Sequence, residues 1–250
     1  MKMKIRIRSL IPVCMALAVH TASAQVQPVD YVDMFMGNRG ESNCVIGPQL
    51  PHESVNPSPQ TPGGGNDGYD PLQPIRGFGQ LHVSGTGWGR YGQILLSPQV
   101  GFSADEQGHD SPKSGESALP YYYAVTLDRY GIRTELAPTH NAAIYRFSFP
   151  AAEDANILLD IAHNIPQHIK PEIGGRFLGG AISYHPETGI IGGWGSYRGG
   201  FGSGAPYKVY FAAALDRAPR SVAVTDDGDG KLYARIALPP FDAPGTVLLK

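Results

Sequence analysis

Two cysteines in 250 residues, Cys14 and Cys44, are too few for a disulfide framework. Charge is also sparse: Asp, Glu, Lys and Arg make 17% of the chain, and the formal net charge is −2. A nucleic-acid partner needs a basic face, so that class of function is disfavoured. No apolar period of 3.6 residues lasts longer than two turns, which disfavours a helical bundle. Apart from a short N-terminal run, no stretch is apolar enough to cross a bilayer as a helix. There is no Gly-x-Ser-x-Gly elbow and no Cys–His pair in a recognisable context. The histidines at 109, 140, 163, 168 and 185 lack zinc-ligand spacing and read as structural or exposed.

What is abundant is glycine and proline, 54 residues together. They punctuate apolar runs instead of forming a low-complexity tract, so the chain reads as many short strands joined by turns. Candidate strands are 121–127, 132–136, 140–149, 157–161, 177–184, 189–197, 207–215, 221–225 and 231–238. In 140–149 the sequence suggests Ala142 and Ile144 on a face opposite to Arg146. Segment 157–161 is apolar apart from Asp160, fit for a strand covered on both faces. Segment 102–118 is polar and reads as a loop or an edge excursion. The expected fold is an all-β antiparallel sandwich.

The N-terminus carries Lys2, Lys4, Arg6 and Arg8, then an apolar run from Leu10 to Val19 and an Ala22-Ser23-Ala24 site. This is the pattern of a secretory signal peptide, residues 1–24, cut after Ala24. The mature domain is then 25–250, periplasmic or extracellular. The leader holds four basic and no acidic side chains, so 16 basic and 22 acidic remain, a balance of −6. Cys44 is left alone, and a free thiol in an exported chain is expected to be buried.

The most informative stretch is 77–98. Two apolar runs flank a loop rich in glycine, Gly85, Gly87, Gly89 and Gly92, around Trp88, Arg90 and Tyr91, with His82 and Thr86 just upstream. A flat aromatic ring beside hydrogen-bonding groups suits a sugar. Residues 87–92 match G-x-G-x-x-G by letter, but 93–97 reads as a strand closed by Pro98, and a pyrophosphate loop must open a helix. A plain hairpin loop with a half-buried Trp88 is the competing reading. The long irregular region 50–69 is either functional or a flexible insertion. Asp226-Asp227-Gly228-Asp229-Gly230 lacks EF-hand spacing and reads as a hairpin turn.

Three stretches together resemble glycoside hydrolase family 92. Val32-Asp33-Met34-Phe35-Met36-Gly37 is similar to its opening Val-Asp-Pro-Phe-Ile-Gly. Gly77-Phe78, then Leu81-His82-Val83-Ser84-Gly85-Thr86-Gly87 with Tyr91-Gly92 and Ile94, is similar to its His-Leu-Ser-Gly-Thr-Gly stretch. Pro120-Tyr121-Tyr122-Tyr123, Glu135-Leu136 and Tyr145-Arg146-Phe147 are similar to its Pro-Gly-Tyr-Tyr segment and the strands after it. Departures are Met34 for proline, Asn38 for threonine, Trp88-Gly89-Arg90 for Cys-Ser-Asp, and Gln93 for aspartate.

The resemblance implies a supersandwich of the galactose-mutarotase kind, the N-terminal domain of a secreted, calcium-dependent, inverting exo-α-mannosidase acting on glycoprotein glycans. It implies that the catalytic carboxylates and calcium ligands lie on a helical-barrel domain absent from this chain. The chain would then be a C-terminally truncated fragment, inactive alone, with no metal of its own. Its expected partners are α-mannoside glycans and that missing domain. The expected substrate-binding residues are Trp88, Arg90, Gly87 and His82, with Gly37 and Asn38 from the loop 37–43. The alternatives are a stand-alone carbohydrate-binding module using Trp88 and Trp194, and a non-enzymatic structural sandwich.

Overall fold

Alternation along the chain decides which side chains meet. In the strand Ala143–Phe149, Ala143, Tyr145, Phe147 and Phe149 are buried, whereas Ile144 (42% exposed) and Arg146 face out. The inward set is therefore the odd-numbered one, and Ile144 lies on the same side as Arg146. The four inward side chains form a more continuous apolar row than the even-numbered set, and a strand turns its whole row one way.

This architecture comes from a computed structural model, which describes residues 26–39, 44–65, 67–83, 91–165, 174–199, 204–228 and 230–250. The chain divides into two compact units, 1–31 and 32–250. The described part of the first is a single 3₁₀ turn, Pro28–Tyr31, in which Asp30 accepts the Gln27 N–H at 2.8 Å. The signal-peptide residues 1–24 lie outside the described residues.

Among its described residues the second unit holds fourteen strands in three antiparallel sheets. They are β1 (Ser58–Gln60), β2 (Gly77–Gly79), β3 (Leu95–Val100), β4 (Lys113–Leu119), β5 (Tyr122–Leu127), β6 (Ile132–Pro138) and β7 (Ala143–Phe149). There follow β8 (Ala155–Asp160), β9 (Arg176–His185), β10 (Ile190–Arg198), β11 (Tyr207–Ala214), β12 (Ser221–Asp226), β13 (Leu232–Ala237) and β14 (Gly245–Leu249). A six-stranded sheet runs β1-β2-β3-β8-β13-β12, a five-stranded one β14-β7-β6-β5-β4, and a three-stranded one β11-β10-β9. One helical turn, α1 (Glu106–His109), interrupts them, with Asp105 capping it by accepting the Gly108 N–H at 2.8 Å.

The two larger sheets pack face to face, as the sandwich reading required. Phe78 of β2 sits 6.4 Å from the Tyr123 ring of β5 and 6.2 Å from the Tyr145 ring of β7, so it bridges the layers. Ile157 and Leu159 of β8, Ile236 of β13, Phe147 of β7 and Val247 of β14 belong to the same buried cluster. Burial of each such side chain contributes about 1.5–3 kcal/mol. Strand β8 is central and buried from Ala155 to Leu159, which matches its apolar run Ile157-Leu158-Leu159, with Asn156 buried beside it.

Some local readings change. Pro98 does not end a strand: it lies inside β3, paired with Ile157 of β8. Strand β2 pairs with β3 only at Phe78–Leu96, so the missing proline N–H need not break a ladder on that side. Region 50–69 is not a loose insertion, since residues 57–61, including all of β1, are buried. Cys44 is exposed, against the expectation of a buried thiol. A hairpin does join β12 to β13: Asp226 pairs with Leu232, and Asp227 accepts the Lys231 N–H at 2.9 Å. Among the described residues no helix is long and apolar enough to cross a membrane.

Candidate functional site

Strand β8 ends in a turn made by its own last residue. Asp160 Oδ1 accepts the backbone N–H groups of Ala162 (2.8 Å) and His163 (3.1 Å), so the chain bends sharply and presents His163 and Asn164. Glu106 opens α1 beside them, Arg176 starts β9, and Lys231 precedes β13. These six side chains line a cleft of about 880 Å³ whose wall is mainly polar. Burial raises the Asp160 carboxyl above the ordinary carboxylate range.

Behind the cleft runs a chain of hydrogen bonds. His82 Nδ1 donates to the Asn56 carbonyl at 2.8 Å, and its Nε2 accepts from Gln60 Nε2 at 3.0 Å. Gln60 Nε2 also donates to the Gly92 carbonyl at 3.0 Å, which fixes the amide orientation and leaves Oε1 to accept from His163 Nε2. His163 Nδ1 faces Glu106 Oε1 at 3.3 Å, and Glu106 Oε2 accepts from Arg76 at 2.6 Å. Both partners of His163, Gln60 Oε1 and Glu106 Oε1, are acceptors. Arg76 is anchored in turn by a two-pronged contact to Asp110, at 2.9 and 3.0 Å.

The electrostatics follow from these contacts. The hydrogen bond from His163, helped by the His163 and Arg76 charges, holds Glu106 at about 2 despite partial burial. Desolvation pushes His82 down to about 4, so its ring is neutral at physiological pH. The cleft therefore presents an ionised Glu106 as an acceptor, with Arg176 and Lys231 as donors, a set suited to hydroxyl-rich ligands.

The backbone beside this network is strained. Tyr91 has φ 71°, Gly92 77° and Ile94 60°. A β-branched residue there is a true outlier, costing on the order of 1–3 kcal/mol, and it persists because its surroundings fix it. The Gly92 N–H donates to Leu81 O at 2.6 Å, and Tyr91 O accepts from Ile165 N–H at 2.9 Å. Buried Gln93 donates to Asn164 Oδ1 (3.1 Å) and to the Tyr207 hydroxyl (2.9 Å). Position 92 needs glycine twice over: φ is positive, and a Cβ would come within 2.4 Å of Gln60 Nε2.

Of the residues named from the sequence, Trp88, Arg90 and Gly87 lie outside the described residues. His82 is 5% exposed, with both ring nitrogens engaged, so it supports the site from behind. Gly37 (φ 76°) and buried Asn38 form a separate loop closed by Asn38 Nδ2 donating to Cys44 O at 2.7 Å. Among the described residues no hydrogen bond joins that loop to the His82 group. Gln60, Glu106, Asp160 and His163 were not singled out from the sequence as site residues. Gln60 alone had a signal, since it falls in the long region 50–69. Among the described residues no group of three or more His, Cys, Asp or Glu is placed to hold a metal ion.

The family model of the glycosyl hydrolase family 92 N-terminal domain matches residues 31–237. The chain belongs to that family. Its fold is shared by a family GH92 alpha-mannosidase from Bacteroides thetaiotaomicron solved in complex with mannoimidazole, with a TM-score of 0.77 at 24% identity. That match covers 88% of this chain and 31% of the other. A second solved GH92 family glycosyl hydrolase gives a TM-score of 0.73 at 22% identity, over 89% of this chain and 32% of that one. An uncharacterized secreted glycosidase of Arthroderma benhamiae is 29% identical over 133 residues, 48% of this chain and 17% of the relative. The chain thus spans about a third of the length of the solved proteins that share its fold.

Proposed function

We propose that this domain binds the sugar at the mouth of a secreted, inverting exo-α-mannosidase that acts on glycoprotein glycans. The observation that carries the reading is the family 92 match over residues 31–237. The polar cleft at the end of β8, lined by Glu106, Asp160, His163 and Arg176, supports it. In this reading Glu106 accepts from sugar hydroxyls, while Arg176 and Lys231 donate to them. Trp88 supplies a stacking face and Arg90 a further donor, with Gly87 giving the backbone close approach.

Inversion needs two carboxyls far enough apart to admit a water molecule. Neither is assigned to this chain, and the reading places both on the remainder of a longer protein, together with the calcium ligands. Residues 1–24 direct export and are removed after Ala24, in keeping with the name of the Arthroderma relative.

The test is direct. The purified mature chain, 25–250, is expected to leave an aryl α-mannoside intact with or without calcium. Turnover abolished by Glu106→Gln or Asp160→Asn would place the chemistry in this domain and overturn the division of labour.

A further inference from the structure

The sheet β11-β10-β9 has one face turned to the core and one turned away. Ile191 and Tyr197 of β10 and Ala213 of β11 are buried on the inner side. The outer side is fixed by the register. Trp194 pairs with Tyr210 on one flank and Ala181 on the other, and the next rows are Gly192 with Ala212 and Ser183, and Ser196 with Lys208 and Gly179. Two large aromatic side chains therefore stand side by side on a floor of glycine, alanine and serine.

That composition is not what sheet stability requires. A cross-strand aromatic pair contributes roughly 0.2–1 kcal/mol to a sheet, chiefly by mutual packing. Tyr210 is 71% exposed, so most of its ring covers nothing. Ala181, Ser183 and Ala212 are exposed as well, which leaves the floor flat and open beside both rings. The Lys208 ammonium lies 4.2 Å from the centre of the Trp194 ring, and Lys208 shares the outer face of β11 with Tyr210. Ser183 adds a hydroxyl one row away, within 3.3 Å of His185 Nε2.

We propose that this outer face is a second carbohydrate-binding surface, separate from the cleft at the end of β8, and that its occupant is an oligosaccharide chain. Adjacent strands are about 4.8 Å apart, so Trp194 and Tyr210 present to neighbouring sugar rings of one chain. Tyr210 takes an apolar sugar face. Lys208 moves from the indole to bond hydroxyls, which frees Trp194 to stack. The surface would hold a polymeric glycan near the domain while its end is engaged elsewhere. This rests on the glycan-processing reading above.

The experiment is a titration of the full chain with α-mannotriose, followed by NMR at the Trp194 indole N–H and the Tyr210 ring, with the Glu106–Asn164 amides as a separate readout. Tyr210→Ala and Trp194→Ala are expected to weaken binding at this face about tenfold each. Tyr210→Ala, truncating an exposed ring, is expected to leave the melting temperature nearly unchanged. Shifts confined to the cleft would overturn the second surface and retain the cleft. Shifts confined to Trp194 and Tyr210 would do the reverse. Concentration-dependent dimerisation abolished by Tyr210→Ala would overturn the glycan in favour of a second copy of the chain.

Discussion

Lowering the pH should unlock the network at His82 before it touches Glu106. The His82 ring is buried and neutral, held between the Asn56 carbonyl and the Gln60 amide. Its pKa falls from 6.5 in the unfolded chain to about 4 in the fold, chiefly through desolvation. The unfolded state therefore takes up a proton first as the pH drops. Stability from this group is fully present above pH 6.5, declines below it, and is lost as pH passes through 4. At 1.36 kcal/mol per unit, the full effect is about 3 kcal/mol. For a domain of this size that is roughly 6–12 °C in melting temperature. The assay is thermal unfolding from pH 7 to pH 4 on the wild-type chain and on His82→Gln. The variant should be less stable at pH 7 by about 1–3 kcal/mol, because it disturbs buried partners. Its melting temperature should then fall less steeply than the wild type between pH 6.5 and 4. Parallel pH profiles for the two proteins would refute the reasoning. Glu106 acts in a lower window: its stabilisation is present above pH 4.5 and is lost as pH falls towards 2.

Other substitutions probe the same construction. Gly92→Ala and Gly101→Ala both place alanine at positive φ, 77° and 78°, but only at 92 does the Cβ meet Gln60 and Ile165. Chemical denaturation should show Gly92→Ala as the more destabilising by 1 kcal/mol or more, in the range of overpacking costs, and equal losses would mean that the close approach is unimportant. Arg76→Ala should raise the Glu106 pKa, read by carbon NMR of its carboxyl, yet leave it below 4.5 because the His163 hydrogen bond is the larger cause. Phe78→Ala, which removes the ring bridging the two sheets, should cost about 3–5 kcal/mol, and a loss under 1 kcal/mol would contradict its place in the core.

The sandwich was legible because its signals are local. Glycine and proline mark the turns, β8 is built on the apolar run Ile157-Leu158-Leu159, and the Asp-Gly turn before β13 has its own chemistry. Phase in β7 was harder: Ile144 and Tyr145 are both apolar enough to face in, and only the whole row Ala143, Tyr145, Phe147, Phe149 decides between them. Pro98 misled for a related reason, since a proline is tolerated in a strand wherever no N–H is required, and neighbouring strands are not visible locally. The cleft was least legible. Glu106, Asp160, Arg176 and Lys231 come from four separate elements, with no motif linking them along the chain. His163 looked idle without zinc spacing, yet its role is to join Gln60 to Glu106.

The most direct measurement is an amide NMR titration of the mature chain with methyl α-mannoside. A mannoside held at the mouth of this domain should shift the amides of Glu106, His163, Asn164 and Arg176 together, with one saturation curve, and Glu106→Gln should flatten that curve. Unshifted amides at these four positions up to the solubility of the sugar would contradict the assignment of the cleft.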